Sequence, residues 1–127
     1  MATGGEDSKG REPAAALGRL FAPRSIALVG VPGDLSRPGA RPLHFLRRHG
    51  YSGRLYPVNP RHRVIGDLPA YADLDALPEI PDVAWIGLPA AQAGDAILAC
   101  GRRGIRFAVV LGAGFAETGE HGVLAQE

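Results

Sequence analysis

An α/β fold built on a parallel sheet is predicted for this 127-residue chain by three observations. The apolar runs Ile26–Val29, Val83–Leu88 and Ile105–Leu111 are continuous rather than alternating, the pattern of strands buried on both faces. Segments with helical spacing stand between them. Glycine or proline (Gly30, Pro89, Gly112) closes each run, so strands and helices alternate through tight exits.

Residues 1–15, where Gly, Glu, Ser and Lys occur without an apolar run, read as a disordered tail, leaving 16–127 as one domain. Leu17, Leu20 and Phe21 suit a short helical turn, stopped by Pro23. The first strand, Ser25–Val29, runs into Gly30. Val31–Ala40, with Pro32, Gly33, Pro38 and Gly39, is a loop. A helix is expected from about Arg41, with Pro42 in its first turn and Gly50 as its stop. Leu43 and Leu46 would face the sheet while Arg47 and Arg48 face water. The second strand, Arg54–Pro60, contains Pro57 and is therefore expected at an edge. Asp73–Leu77 is a short helix at best.

After the third strand, Ala93, Ala96, Ile97 and Cys100 follow helical i, i+3, i+4, i+7 spacing up to Gly104. The fourth strand, Ile105–Leu111, leaves through Gly112-Ala113-Gly114, and Thr118–Glu127 opens another helix. The expectation is a Rossmann-like sheet of about four strands in the order 2-1-3-4, with helices on both faces and truncated at its C-terminus. Its topological switch then lies between the first and third strands, where ligands bind beyond the carboxyl ends. The loops there are Gly30–Gly39, Asn59–Arg63, Leu88–Ala91 and Gly112–Phe115.

Composition narrows the function. The profile, 46% hydrophobic and 21% charged, is that of an ordinary globular domain. A net charge of +1 is too small for a general nucleic-acid binder, and sparse aromatics argue against a base-stacking platform. A single cysteine, Cys100, allows neither a disulfide framework nor a thiolate metal cluster and suits a reduced cytoplasm. No apolar run approaches the ~20 residues of a membrane span. Partners among nucleic acids or membranes are not expected.

Charge is nevertheless sorted along the chain. Arg37, Arg41, Arg47, Arg48, Arg54, Arg61 and Arg63 all fall in residues 35–65, which hold three His and no acid. Residues 66–101 then carry six acids and no Lys or Arg. A glycine-ended strand, a flexible loop and arginines make a receiver for phosphates, with Arg37 and Arg61 the favoured contacts; solvated helix faces are the plainer alternative. A dinucleotide site would need Gly-x-Gly-x-x-Gly and an acid closing the second strand. The glycines are Gly30, Gly33 and Gly39, Pro32 stands at the close approach, and the strand ends in Asn59, so NAD is disfavoured. Gly-Lys-Ser/Thr is absent, which excludes a P-loop. A nucleotide with several phosphates remains, and coenzyme A fits.

The runs Leu20–Gly30, Gly53–Pro60, Gly66–Tyr71, Asp82–Pro89 and Gly112–Gly119, in that order, resemble the N-terminal CoA-binding domain of the NDP-forming acyl-CoA synthetases, relatives of the succinyl-CoA synthetase α subunit. The resemblance implies that Gly30, Ser36, Arg37 and Gly39 receive the CoA phosphates. It implies that Asn59, Pro60 and Arg61 border the adenosine end, and that Leu88, Pro89 and Ala90 touch the pantetheine arm. Arg37 stands where the family usually has lysine, and Val31-Pro32 where Ala-Ser is common. In this family catalysis runs through a histidine of a following domain and a nucleotide-grasp domain, in the same or a partner chain. None of His44, His49, His62 and His121 matches that position, so no catalytic or metal residue is assigned.

The function expected is a CoA-binding module of an ADP-forming acyl-CoA ligase, inactive alone. The alternatives are a regulatory CoA- or nucleotide-sensing domain of a protein acetyltransferase, or a stand-alone interaction module. Structural roles are expected for several residues: Trp85 and Cys100 in the core, the histidines on surfaces, and Asp73 and Asp75 as charges at a helix start.

Overall fold

The computed structural model describes residues 18–111. A helical turn at residues 18–21 precedes β1 (Ser25–Val29). A 3-10 turn, Pro38–Ala40, runs into α1 (Arg41–Arg48), and β2 (Arg54–Val58) follows. A hairpin, β3 (Val64–Ile65) and β4 (Leu68–Pro69), and a 3-10 turn at Leu74–Ala76 lead to β5 (Val83–Ile86). α2 (Ala90–Arg103) and β6 (Phe107–Val110) complete the described chain.

The main sheet has the order β2-β1-β5-β6 with every neighbouring pair parallel, which is the expected 2-1-3-4 arrangement. Alternate side chains of β1 divide between two cores, as the two-residue strand period demands. Ala27 joins Tyr56, Val58, Ala84 and Ile86 beneath Ala93 and Cys100 of α2. Ile26 and Leu28 point the other way, onto Leu43 and Leu46 of α1 and Ile65 of the hairpin. Both faces of the central strands are therefore covered.

β2 is an edge strand, and Pro57 shows how an edge accommodates proline. Its carbonyl accepts from the N–H of Tyr71 at 2.9 Å, and Tyr71 O accepts from the N–H of Asn59 at 2.8 Å. The hydrogen-bonding edge of residue 57 thus points away from β1 while its ring is buried, and a missing N–H breaks no bond of the main ladder. At the start of the sheet an ionic clasp forms. Asp82 takes the backbone N–H of Arg24 at 2.8 Å, and Glu79 accepts from both Arg54 and Tyr56.

Several expectations are refined. The hairpin at 64–69 is an element beyond those expected, although Gly66-Asp67 between apolar residues is a two-residue turn signal and Gly66 has φ +63°. Asp67 of that turn pairs with Arg47 of α1 at 2.7 Å; Arg47 faces water as expected and is paired there. The stripe of α2 runs through Ala93, Ala96, Ala99 and Cys100, while Ile97 is exposed. Close helix–sheet approach is made by the small side chains, and Ile97 lies to one side of it. Trp85 is half-buried, with its ring 6.5 Å from Phe45. The expected tail over 1–15, the Gly112-Ala113-Gly114 exit and the helix from Thr118 lie outside the described residues.

Candidate functional site

β1 and β5 stay paired to their carboxyl ends, and two glycines meet just beyond them. Gly30 has φ +104°, and a Cβ on it would stand 2.5 Å from the carbonyl oxygen of Gly87. Only glycine fits this crossing. The N–H of Gly87 donates to Val29 O at 2.8 Å, which fixes the approach. Beyond it opens a cleft of about 480 Å³ lined by residues from the first loop, the loop after β2, the 72–74 segment and α2.

Asn59 organises the mouth. Its Nδ2 donates to Val31 O at 3.0 Å and its Oδ1 accepts from the N–H of Arg61 at 2.8 Å. Where a dinucleotide site would carry an acid for ribose, this asparagine joins two loops and presents Arg61 at the cleft wall. His62 lies against the first loop, its ring filling the space a Gly33 side chain would need.

Of the residues singled out from sequence, Gly30, Asn59, Pro60, Arg61 and Leu88 line the cleft together. Pro89 and Ala90 flank it at the start of α2, between the lining residues Leu88 and Gln92. Ser36, Arg37 and Gly39 stand on the first loop outside the lining. Gly39 packs beside Pro32, since a Cβ there would sit 3.1 Å from the proline ring, and Pro32 itself lines the cleft. Ser36 turns its N–H (3.0 Å) and its hydroxyl (2.6 Å) to Asp34. Those two bonds, with Arg37 nearby, hold the Asp34 carboxyl below its ordinary range. Arg37 is exposed and has no ion-pair partner among the described residues.

The arginine block is thereby divided. Arg47 and Arg54 are engaged by Asp67 and Glu79, and Arg54 opens β2, at the opposite end of the sheet from the cleft. Glu79 lies below its usual range because Arg54 and Tyr56 donate to it. Arg37 and Arg61 remain on the ligand-side loops.

Sequence reasoning missed Ala72, Asp73, Leu74, Gln92, Ala96 and Ala99, which form the far wall. The bridge Val58↔Tyr71 lays residues 72–74 beside the end of β2, a non-local pairing without a motif. Asp73 does act at a helix start: its Oδ1 accepts from Ala76 N at 3.0 Å. It also faces the cleft. Burial pushes the Cys100 thiol up, in keeping with a core role.

A cleft beyond the carboxyl ends of a four-stranded parallel sheet, at the switch between β1 and β5, lies where ligands bind in Rossmann-like α/β domains, the class to which this fold belongs. A model of the CoA binding domain family matches residues 24–123, and the chain belongs to that family. It is 35% identical over 103 residues to acetate–CoA ligase [ADP-forming] II of Archaeoglobus fulgidus, covering 81% of this chain and 15% of that protein. The α subunit of the corresponding Pyrococcus furiosus ligase II is 33% identical over 103 residues, 81% of this chain and 22% of the subunit. The fold superimposes on acetyl-coenzyme A synthetase 1 of Ca. Korarchaeum cryptofilum, solved with phosphate and ADP, with a TM-score of 0.72 at 38% identity, covering 84% of this chain and 23% of that one. The chain thus spans less than a quarter of the length of these relatives. The motif resemblance and coenzyme A as the family's ligand agree with these findings.

Proposed function

We propose that the cleft at the β1/β5 switch holds coenzyme A, and that the domain serves an ADP-forming acyl-CoA synthetase in the cytoplasm. The observation that carries this is the cleft itself: an interior of Val29, Val58, Leu74, Leu88, Ala96 and Ala99, with Arg61 at the mouth. Phosphates are drawn to Arg61 and to Arg37 on the neighbouring loop by charge-assisted hydrogen bonds. The N-terminus of α2, with no acid in its first turn, adds a favourable dipole. The pantetheine arm leaves past Leu88, Pro89 and Ala90. Ligase and nucleotide-grasp domains of the same or a partner chain supply the nucleophile and the nucleoside diphosphate.

Calorimetric titration with CoA, dephospho-CoA, ADP and NAD tests this. CoA should bind most tightly, dephospho-CoA more weakly for want of the 3′-phosphate, and added salt should weaken both. Equal affinity for CoA and ADP would overturn the assignment. The purified chain should show no acyl-CoA-forming turnover with ADP or GDP as product.

A further inference from the structure

In a cleft that takes a polyanion, an acid on the wall has to face something other than phosphate. Asp73 is such an acid. It lines the cleft, is exposed, and makes no ion pair among the described residues, although Arg61 lines the same space. Its orientation is set, because Oδ1 caps the N–H of Ala76. That leaves Oδ2 as an acceptor. Around it Ala72, Leu74, Ala96 and Ala99 form a slot between the 72–74 segment and α2, whose small side chains leave room for a flat group.

We propose that Asp73 sets the base preference of the site, its second carboxylate oxygen accepting a hydrogen bond from the exocyclic amine of adenine lodged in this slot. This rests on the CoA reading above. Among the donors of CoA, the ribose hydroxyl adjoins the 3′-phosphate, and a carboxylate placed there would meet a doubly charged neighbour. The adenine amine lies on the far edge of the base from the phosphates, and it is a donor with no charge to repel. A purine bearing a carbonyl at the same position would set an acceptor against the carboxylate, and could offer its N1–H instead only by shifting out of the position adenine takes. The residue is thus a specificity determinant for adenine over 6-oxopurines.

The test uses adenosine 3′,5′-bisphosphate and inosine 3′,5′-bisphosphate, titrated calorimetrically beside CoA. The wild-type protein should prefer the adenosine compound by about tenfold or more. Asp73→Asn keeps a side-chain oxygen for the Ala76 cap and turns an amide donor into the slot, so the preference should collapse or invert. Asp75→Asn removes the same charge from the same turn outside the cleft lining and should leave the preference unchanged. If wild type binds CoA but does not distinguish the two bisphosphates, the proposal fails while the CoA reading stands. If Asp73→Asn weakens CoA and leaves the bisphosphate ratio intact, the carboxylate serves the pantetheine arm and the proposal is also wrong. Failure of wild type to bind CoA at all would overturn the underlying reading.

Discussion

At the residue scale, the site depends on positions where one side chain has one admissible form. Gly30→Ala would place a methyl group 2.5 Å from Gly87 O in a left-handed conformation. A loss of at least about 2 kcal/mol is expected in urea denaturation, from strain alone. Arg61→Ala should weaken CoA binding by about tenfold, whereas Arg48→Ala, on the exposed side of α1, should change it little. Arg37→Ala should fall between them, since Arg37 shares the phosphate-side loop but not the cleft lining. Calorimetry on the three variants gives the order; equal effects would reduce the arginines to a solvated face. Gly30 and Leu88 were legible because they end continuous apolar runs, while Asn59, Pro60 and Arg61 were placed by the close of the second strand and by the family resemblance. Ser36 was legible as a loop residue, but its turn toward Asp34 depends on a local Asp-x-Ser bond that competes with any role as a donor.

At the element scale, strands and helices were readable where burial alone decides them. The continuous runs became β1, β5 and β6, and Pro57 correctly demoted β2 to an edge. The 64–69 hairpin and the 72–74 wall were not, because two-residue strands carry almost no periodicity and depend on Ile65 and Tyr71 finding distant partners. The ionic clasp joining the starts of β1, β2 and β5 is equally non-local, and it predicts acid sensitivity. Burial pushes the Asp82 carboxyl up, but the backbone and side-chain N–H groups of Arg24 and the nearby arginines outweigh it and hold it low. Glu79 is held low by Arg54 and Tyr56. Carboxylates whose folded pKa is depressed add stability above their unfolded values, ordinarily 4.5 for Glu and 3.8 for Asp, and lose it as pH falls through the lower folded values. Thermal melts should therefore decline below about pH 4.5. Glu79→Gln should lower the melting point at pH 7 and flatten that decline; an unchanged profile would remove the clasp from the stability of the fold.

For the whole molecule, the two edges of the sheet differ. One is closed by Pro57 and the Tyr71 bridge, whereas β6 exposes Val109 and Val110 with respect to the described residues. A domain so built should respond strongly to its ligand. A compound bound only by the folded state stabilises it by about 2.7 kcal/mol at a hundredfold excess over Kd, and the melting point rises with concentration. CoA should therefore shift the melt further than dephospho-CoA at equal concentration. Differential scanning fluorimetry across a concentration series checks this, and a melt indifferent to CoA would contradict it.

The Asn59 contacts have a thermodynamic consequence for that binding. Because Val31 O and Arg61 N are both held by one side chain, the two loops are already coupled before any ligand enters. Ligand association then immobilises little additional backbone, and less of the gross interaction energy goes into ordering. Hydrogen exchange at the Arg61 amide should accordingly be slowed in the free protein and change little with CoA. In Asn59→Ala that amide should exchange fast until CoA is added, and the entropy of association should turn more unfavourable.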